Sequence, residues 1–155
     1  MSHVPKTALV AVLLSFVVAR PTAIHAQAPD LIPVIEGPQS LQAGLSGTFQ
    51  VIVRNYGNKT VPVELHIIFA GKLDQTDRVV AEAGLACEVG HDAGINAVVR
   101  CIGGQVQGGG AVSVYVQGRG QSAGVGKLVA TVNASHSVVE EFYENNLGQY
   151  NITIK

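Results

Sequence analysis

Several things are missing from this sequence, and each absence narrows what it can do. Tryptophan is absent, and phenylalanine and tyrosine occur four times each among 155 residues. Sugar stacking or protein contact through rings would therefore fall to Tyr56, Tyr115, Tyr143 and Tyr150, although outward tyrosines are also ordinary on strands. Lysine and arginine never cluster. Nucleic acids and anionic membrane surfaces need concentrated positive charge, so neither is an expected partner. There is no Cys-x-x-Cys and no histidine at zinc-ligand spacing from a cysteine, so a structural zinc site is not expected. A Gly-x-Ser-x-Gly elbow is also lacking, since Gly44-Leu45-Ser46-Gly47 has the wrong spacing. The glycines from Gly118 to Gly126 lack the Gly-Lys-Ser/Thr ending of a phosphate loop. No cofactor is expected, and no enzyme.

Only one long apolar run exists, Thr7 to Ala19, and it is too short for a bilayer span of about 20 residues. With Lys6 ahead of it, the run reads as the core of an export signal occupying residues 1–26. Cleavage after Ala28 is the alternative, disfavoured because Pro29 would follow the cut. Residues 27–155 then form a single domain with one core. With Lys6 and Arg20 removed, eight basic side chains face eleven acidic ones, a formal charge of −3. The destination is secreted or periplasmic, with no membrane insertion once the signal is gone. In an oxidising compartment the two cysteines, Cys87 and Cys101, are expected to pair.

From Asp30 onward the apolar residues recur with period two and no window has helical periodicity. Leu31 to Ile35 is a short strand that Pro33 confines to a sheet edge. Thr48 to Arg54 turns Phe49, Val51 and Val53 one way. Asn55 to Lys59 is a turn in which asparagine and glycine can take positive φ. Thr60 to Phe69 returns antiparallel to that strand, with Val61, Val63, Leu65, Ile67 and Phe69 on one face. Gly71 to Asp77 reads as a polar loop. Leu85 to Val89 and Ala97 to Ile102 are strands around a loop at Gly90 to Gly94, which brings Cys87 and Cys101 opposite or nearly so. Gly103 to Gly110 should turn a corner, Ala111 to Gln117 is a strand, Gly118 to Gly126 a flexible loop, and Lys127 to Asn133 a strand. Tyr150, Ile152 and Ile154 bury a last strand. Seven to nine short strands with regular turn signals point to an all-β, antiparallel sandwich of immunoglobulin type, without the buried tryptophan of antibody domains.

The Pro29-Asp30-Leu31 opening, the strand-turn Phe49 to Asn58 containing V-x-N-x-G (Val53 to Gly57), the segment Gly108 to Val116 and the EFYENN turn (Glu141 to Asn146) follow in a distinctive order. Together they resemble the bacterial CARDB family, cell-adhesion-related domains. The cysteine pair departs from its simplest members and is closer to related bacterial surface repeats with a cysteine in each of two adjacent strands. The resemblance implies an immunoglobulin-type sandwich in an exported, adhesion-related protein, and Asn55, Gly57, Glu141, Glu144, Asn145 and Asn146 as structural turn residues.

The stretch Ser137 to Ile154 is the densest in oxygen-bearing side chains. Glu141, Glu144 and Asn145 could gather a calcium ion, but there is no alternating Asp/Asn ladder with a central glycine. The favoured reading has Glu141 and Glu144 accepting turn amides while Asn145 and Asn146 take positive φ. His66, His91 and His136 lack partners at recognisable spacing and are read as surface residues. The triplets starting at Asn58, Asn133 and Asn151 match glycosylation acceptors only by chance if the chain is bacterial. The functional expectation is a non-catalytic exported module binding a protein or glycan. The alternatives are a subunit that assembles by strand addition at Leu31 to Ile35, or a small secreted enzyme with Glu140, Glu144, His66, His91 and Asp92 in one pocket.

Overall fold

The computed structural model describes residues 27–92 and 96–155; the expected export segment, 1–26, lies outside them. Ten strands follow in order: β1 (Leu31–Glu36), β2 (Ser40–Leu41), β3 (Ser46–Asn55), β4 (Val61–Gly71), β5 (Leu73–Ala81), β6 (Leu85–Asp92), β7 (Asn96–Val106), β8 (Ala111–Gly120), β9 (Gly124–Val132) and β10 (Leu147–Ile154). They form two sheets, a four-stranded one ordered β1-β3-β8-β5 and a six-stranded one ordered β2-β10-β9-β4-β7-β6. All pairings are antiparallel except the two-residue contact of β2 with β10. This is the immunoglobulin-like sandwich that the alternation implies, with β2 as a strand beyond the expected seven to nine.

The period-two pattern dictates the core. Phe49, Val51 and Val53 of β3 and Val112, Val114 and Val116 of β8 face inward from one sheet; Leu65, Ile67 and Phe69 of β4, Leu128 and Ala130 of β9, and Ile152 and Ile154 of β10 face them from the other. Nearly all are inaccessible to water. Burial of each large side chain is worth about 1.5–3 kcal/mol, so the two inner faces supply the main force holding the sheets together.

Four expectations are corrected. β3 and β4 reverse direction but do not pair, because the chain crosses between sheets: β3 lies between β1 and β8, β4 between β7 and β9. The polar segment Gly71 to Asp77 mostly belongs to strand β5. Its alternation is hidden by a register shift between Gln75 and Val79, where Asp77 adopts φ 56°. The glycine-dense stretches are largely strand as well, since β7 runs on to Val106, β8 to Gly120, and β9 starts at Gly124. Gly90, His91 and Asp92 are part of β6, not of a loop, and residues 93–95 lie outside the described residues.

Candidate functional site

One end of the sandwich gathers the turn after β3, the turn before β8 and the long connection from β9 to β10. In that connection the buried acceptor is Glu140, whose residue is 6% exposed. One carboxylate oxygen, Oε2, accepts the backbone N–H of Leu31 at 2.5 Å. The other, Oε1, accepts Nδ2–H groups from Asn133 at 2.5 Å and Asn146 at 2.8 Å. Asn133, which is 1% exposed, sits at φ 50° and also donates to Val138 O at 2.8 Å while its Oδ1 accepts the Val138 N–H at 3.0 Å. The hydroxyl of Tyr143 accepts the Glu140 N–H at 3.2 Å and donates to Val138 O at 3.3 Å, and its ring stacks on His136 with centroids 4.4 Å apart.

The expected turn residues are therefore partly reassigned. Glu141 and Glu144 are exposed; the amide-binding role falls to Glu140, the one acid of the three whose side chain is turned into the fold. Asn145 donates to Asp30 Oδ1 at 2.8 Å. The left-handed residues here are Asn133 and His136 rather than Asn145 and Asn146. Asn55 and Gly57 both do structural work at the facing turn: Asn55 Oδ1 accepts the Gly57 N–H at 3.0 Å, and its Nδ2 donates to Lys59 O at 2.7 Å. Neither residue has positive φ. Gly57 is required by proximity, since a Cβ there would lie 2.2 Å from Ala28 O.

The opposite end carries a concavity of about 480 Å³, lined by the Gly44 turn, by Asp74, Gln75, Thr76 and Asp77 of β5, and by Arg119, Gly120 and Gln121 at the end of β8. Asp74 Oδ2 accepts from Gln121 Nε2 at 3.1 Å, and Arg119 Nε donates to Gly44 O at 3.0 Å. Gln75 Nε2 is shielded from solvent and has no hydrogen-bond partner. The cleft thus offers carboxylates, amides and a guanidinium at a water-accessible surface, the complement of a hydroxyl-rich or amide-rich ligand. The sequence does not reveal it, because the segments Gly71 to Asp77 and Gly118 to Gly126 read as two separate loops. The density of acid and amide groups in Gly71 to Asp77 was the available signal.

The remaining candidates are dispersed. His66 lies on the outer face of β4, its Nε2 3.5 Å from Glu64 Oε1, and the other carboxylate oxygen of Glu64 accepts the Ser135 hydroxyl. His91 is an exposed residue of β6, and Glu140 is buried in the β9–β10 connection. Cys87 and Cys101 are joined by a disulfide between directly paired residues of β6 and β7, with Cα atoms 4.0 Å apart. Of the tyrosines, Tyr56 is exposed. Tyr150 meets Phe49 edge-on at 6.0 Å and donates its hydroxyl to Gly37 O at 2.8 Å. Of the acceptor triplets, Asn133 is sealed in the fold while Asn58 and Asn151 are exposed. Among the described residues, no group of three or more His, Cys, Asp or Glu side chains could hold a metal ion, and no helix is long and apolar enough to cross a membrane.

The sequence matches no protein-family model and no curated protein. Among solved structures the chain is similar to a CARDB domain from Pyrococcus furiosus, crystallised in complex with di-metal ions. The TM-score is 0.59 at 19% identity, covering 83% of this chain and 90% of that one. A solution structure of the CARDB domain from the same P. furiosus protein gives 0.51 at 20% identity, over 83% and 96% of the two chains. A cohesin module from a Clostridium perfringens glycoside hydrolase gives 0.52 at 14%, over 83% and 98%. The chain has a CARDB-like, immunoglobulin-type sandwich fold at low identity.

Proposed function

We propose that this chain is a non-catalytic, exported binding module, directed out of the cytoplasm by residues 1–26, which contacts a glycan of the cell surface or its surroundings through the polar cleft of β5 and β8. The observation that carries the reading is the cleft itself. In about 480 Å³ it collects Asp74, Asp77, Gln75, Arg119 and Gln121. Sugar hydroxyls both donate and accept, and such a mixed lining meets both needs. The CARDB-like and cohesin-like fold is compatible with a binding scaffold without naming a ligand. An adhesion-related role follows from the same reading, as does a location outside the cytoplasm. The metal ions of the P. furiosus domain are not carried over, since no group of ligands among the described residues fits them.

The test is a glycan-array screen of the disulfide-bonded protein, followed by titration of the best oligosaccharide against the wild type and the Asp74→Ala/Gln121→Ala double variant. Binding that falls about tenfold or more in the variant, at unchanged melting temperature, supports the cleft. A silent array combined with capture of a protein partner that the double variant no longer holds would move the reading to a protein ligand. Glycan binding untouched by the double variant would move the site elsewhere.

A further inference from the structure

Among the described residues the sandwich has four sheet edges, and three of them are blunted. β1 contains Pro33, which has no N–H, and its Leu31 N–H is taken by Glu140; a Cβ on Gly148 would sit 2.7 Å from Pro33 O, so β10 lies against it. β2 is two residues long and tied to the end of the chain by the Lys155 N–H to Leu41 O bond of 2.8 Å. β5 is broken by the register shift at Gln75 to Val79. These are the ordinary means by which a folded protein keeps its edges from pairing with other chains. β6 has none of them: it pairs with β7 without a shift from Leu85 to Asp92, and its sequence LACEVGHD contains no proline.

The backbone groups displayed on that edge follow from the geometry. In an antiparallel ladder, directly opposed residues alternate between a wide pair that exchanges hydrogen bonds and a narrow pair that does not, with Cα atoms about 4.5 Å apart. The 4.0 Å separation of Cys87 and Cys101 makes theirs a narrow pair. Their N–H and C=O groups therefore point away from each other, those of Cys87 toward the free side of β6. The same parity applies to Leu85, Val89 and His91, while Ala86, Glu88 and Gly90 bond to β7. Leu85 agrees with this, since its N–H goes to Glu82 O at 3.2 Å. The open edge thus presents the amides and carbonyls of Cys87, Val89 and His91, on a strand held to its neighbour by a covalent bond.

We propose that this edge pairs with the β6 edge of a second copy of the chain, antiparallel and centred on Val89, to join two six-stranded sheets into one. Parity limits the symmetric registers. Centring on Glu88 sets that carboxylate against its own copy at the narrow spacing; like charges in direct opposition are destabilising. Centring on Val89 places Glu88 opposite Gly90 and makes Val89 a wide pair with its own copy, exchanging N–H to O bonds in both directions. Cys87 and His91 then exchange bonds across the dyad in the same way. The register also covers Val89, which is 39% exposed in the single chain. The edge is self-complementary in hydrogen bonds, in charge and in apolar contact, as a two-fold interface has to be.

The experiment is sedimentation equilibrium of the disulfide-intact protein up to roughly millimolar concentration, with amide hydrogen exchange measured across the same range. A monomer–dimer equilibrium is expected, in which Cys87, Val89 and His91 amides gain protection as concentration rises, whereas Ala86, Glu88 and Gly90 are protected throughout. Val89→Lys places two cations at the dyad, and Val89→Pro removes an N–H that β7 does not use. Each should weaken the dimer by about tenfold or more while preserving the fold. Val34→Lys, on the β1 edge, should leave association unchanged. A strictly monomeric wild type overturns the proposal, as does a dimer sensitive to Val34→Lys and indifferent to Val89→Lys. Protection of the β6 edge that arises only when another protein is added would assign the edge to a foreign strand and overturn self-pairing.

Discussion

The carboxylate of Glu140 accepts the backbone N–H of Leu31 at 2.5 Å across a sequence separation of 109 residues. That bond fastens the entry of the first strand to the connection that leads into the last. With Asn133 and Asn146 donating to its second oxygen, Glu140 is surrounded by donors alone. Glu140→Gln keeps the volume but turns one acceptor into an NH₂ group, which faces an N–H donor whichever way the amide is set. We expect a loss of about 2–4 kcal/mol in chemical denaturation, because buried donors are left unpaired. A loss within experimental error would show that water satisfies these groups and that the turn is not closed by its acid.

The neighbouring acids provide the contrast. Glu144 is exposed, so Glu144→Ala should leave the melting temperature unchanged. Asn145→Ala removes the 2.8 Å bond to Asp30 and should cost about 1 kcal/mol. Measured separately, the two substitutions distinguish the structural residue from the solvated one.

Legibility from the sequence stopped at a physical boundary. Period two identifies β3, β4, β8 and β10 because each turns one apolar face toward the core, as with Phe49, Val51 and Val53. The same periodicity cannot say which sheet a strand joins, so the reversal between β3 and β4 does not reveal that they lie in different sheets. The first half of β5, up to Asp77, reads as a loop because the pattern is interrupted where Asp77 takes a left-handed conformation. In the last turn the local composition was informative but the choice among Glu140, Glu141 and Glu144 was not. Which carboxylate turns inward depends on Leu31 and Asn133, and neither contact leaves a local trace.

The calcium reading of Glu141, Glu144 and Asn145 has a direct test. Two of these side chains are exposed and the third is engaged with Asp30, and a cation that binds only the folded state would raise stability in proportion to its occupancy. The expected result is the same melting temperature in millimolar calcium and in chelator. A rise that Glu141→Ala/Glu144→Ala abolishes would restore the metal site.

The disulfide spans a sequence separation of 14 between β6 and β7. Loop-closure entropy for a ring of this size corresponds to about 3 kcal/mol. Cys87→Ala/Cys101→Ala should therefore destabilise by about 2–4 kcal/mol in denaturant titration. The amides of β6 should lose hydrogen-exchange protection before those of β4, since β6 has a neighbour on one side only in the single chain.

Gly57 and Glu140 act on the same short segment from opposite sides. A Cβ on Gly57 would come within 2.2 Å of Ala28 O and 2.5 Å of Pro29 Cα, and backbone cannot yield as a side-chain end does. Gly57→Ala should push residues 28 and 29 outward and loosen the Tyr56 N–H to Asp30 O bond of 2.8 Å. Glu140→Gln releases the segment at Leu31 instead. Once either turn has let go, the other has less to hold, so the two losses should not add. A double-mutant cycle is expected to show coupling of about 1 kcal/mol or more, within the range for residues that share a partner. Strict additivity would mean that the two turns hold Ala28 to Leu31 independently, and that the opening of the chain is not a common clasp between them.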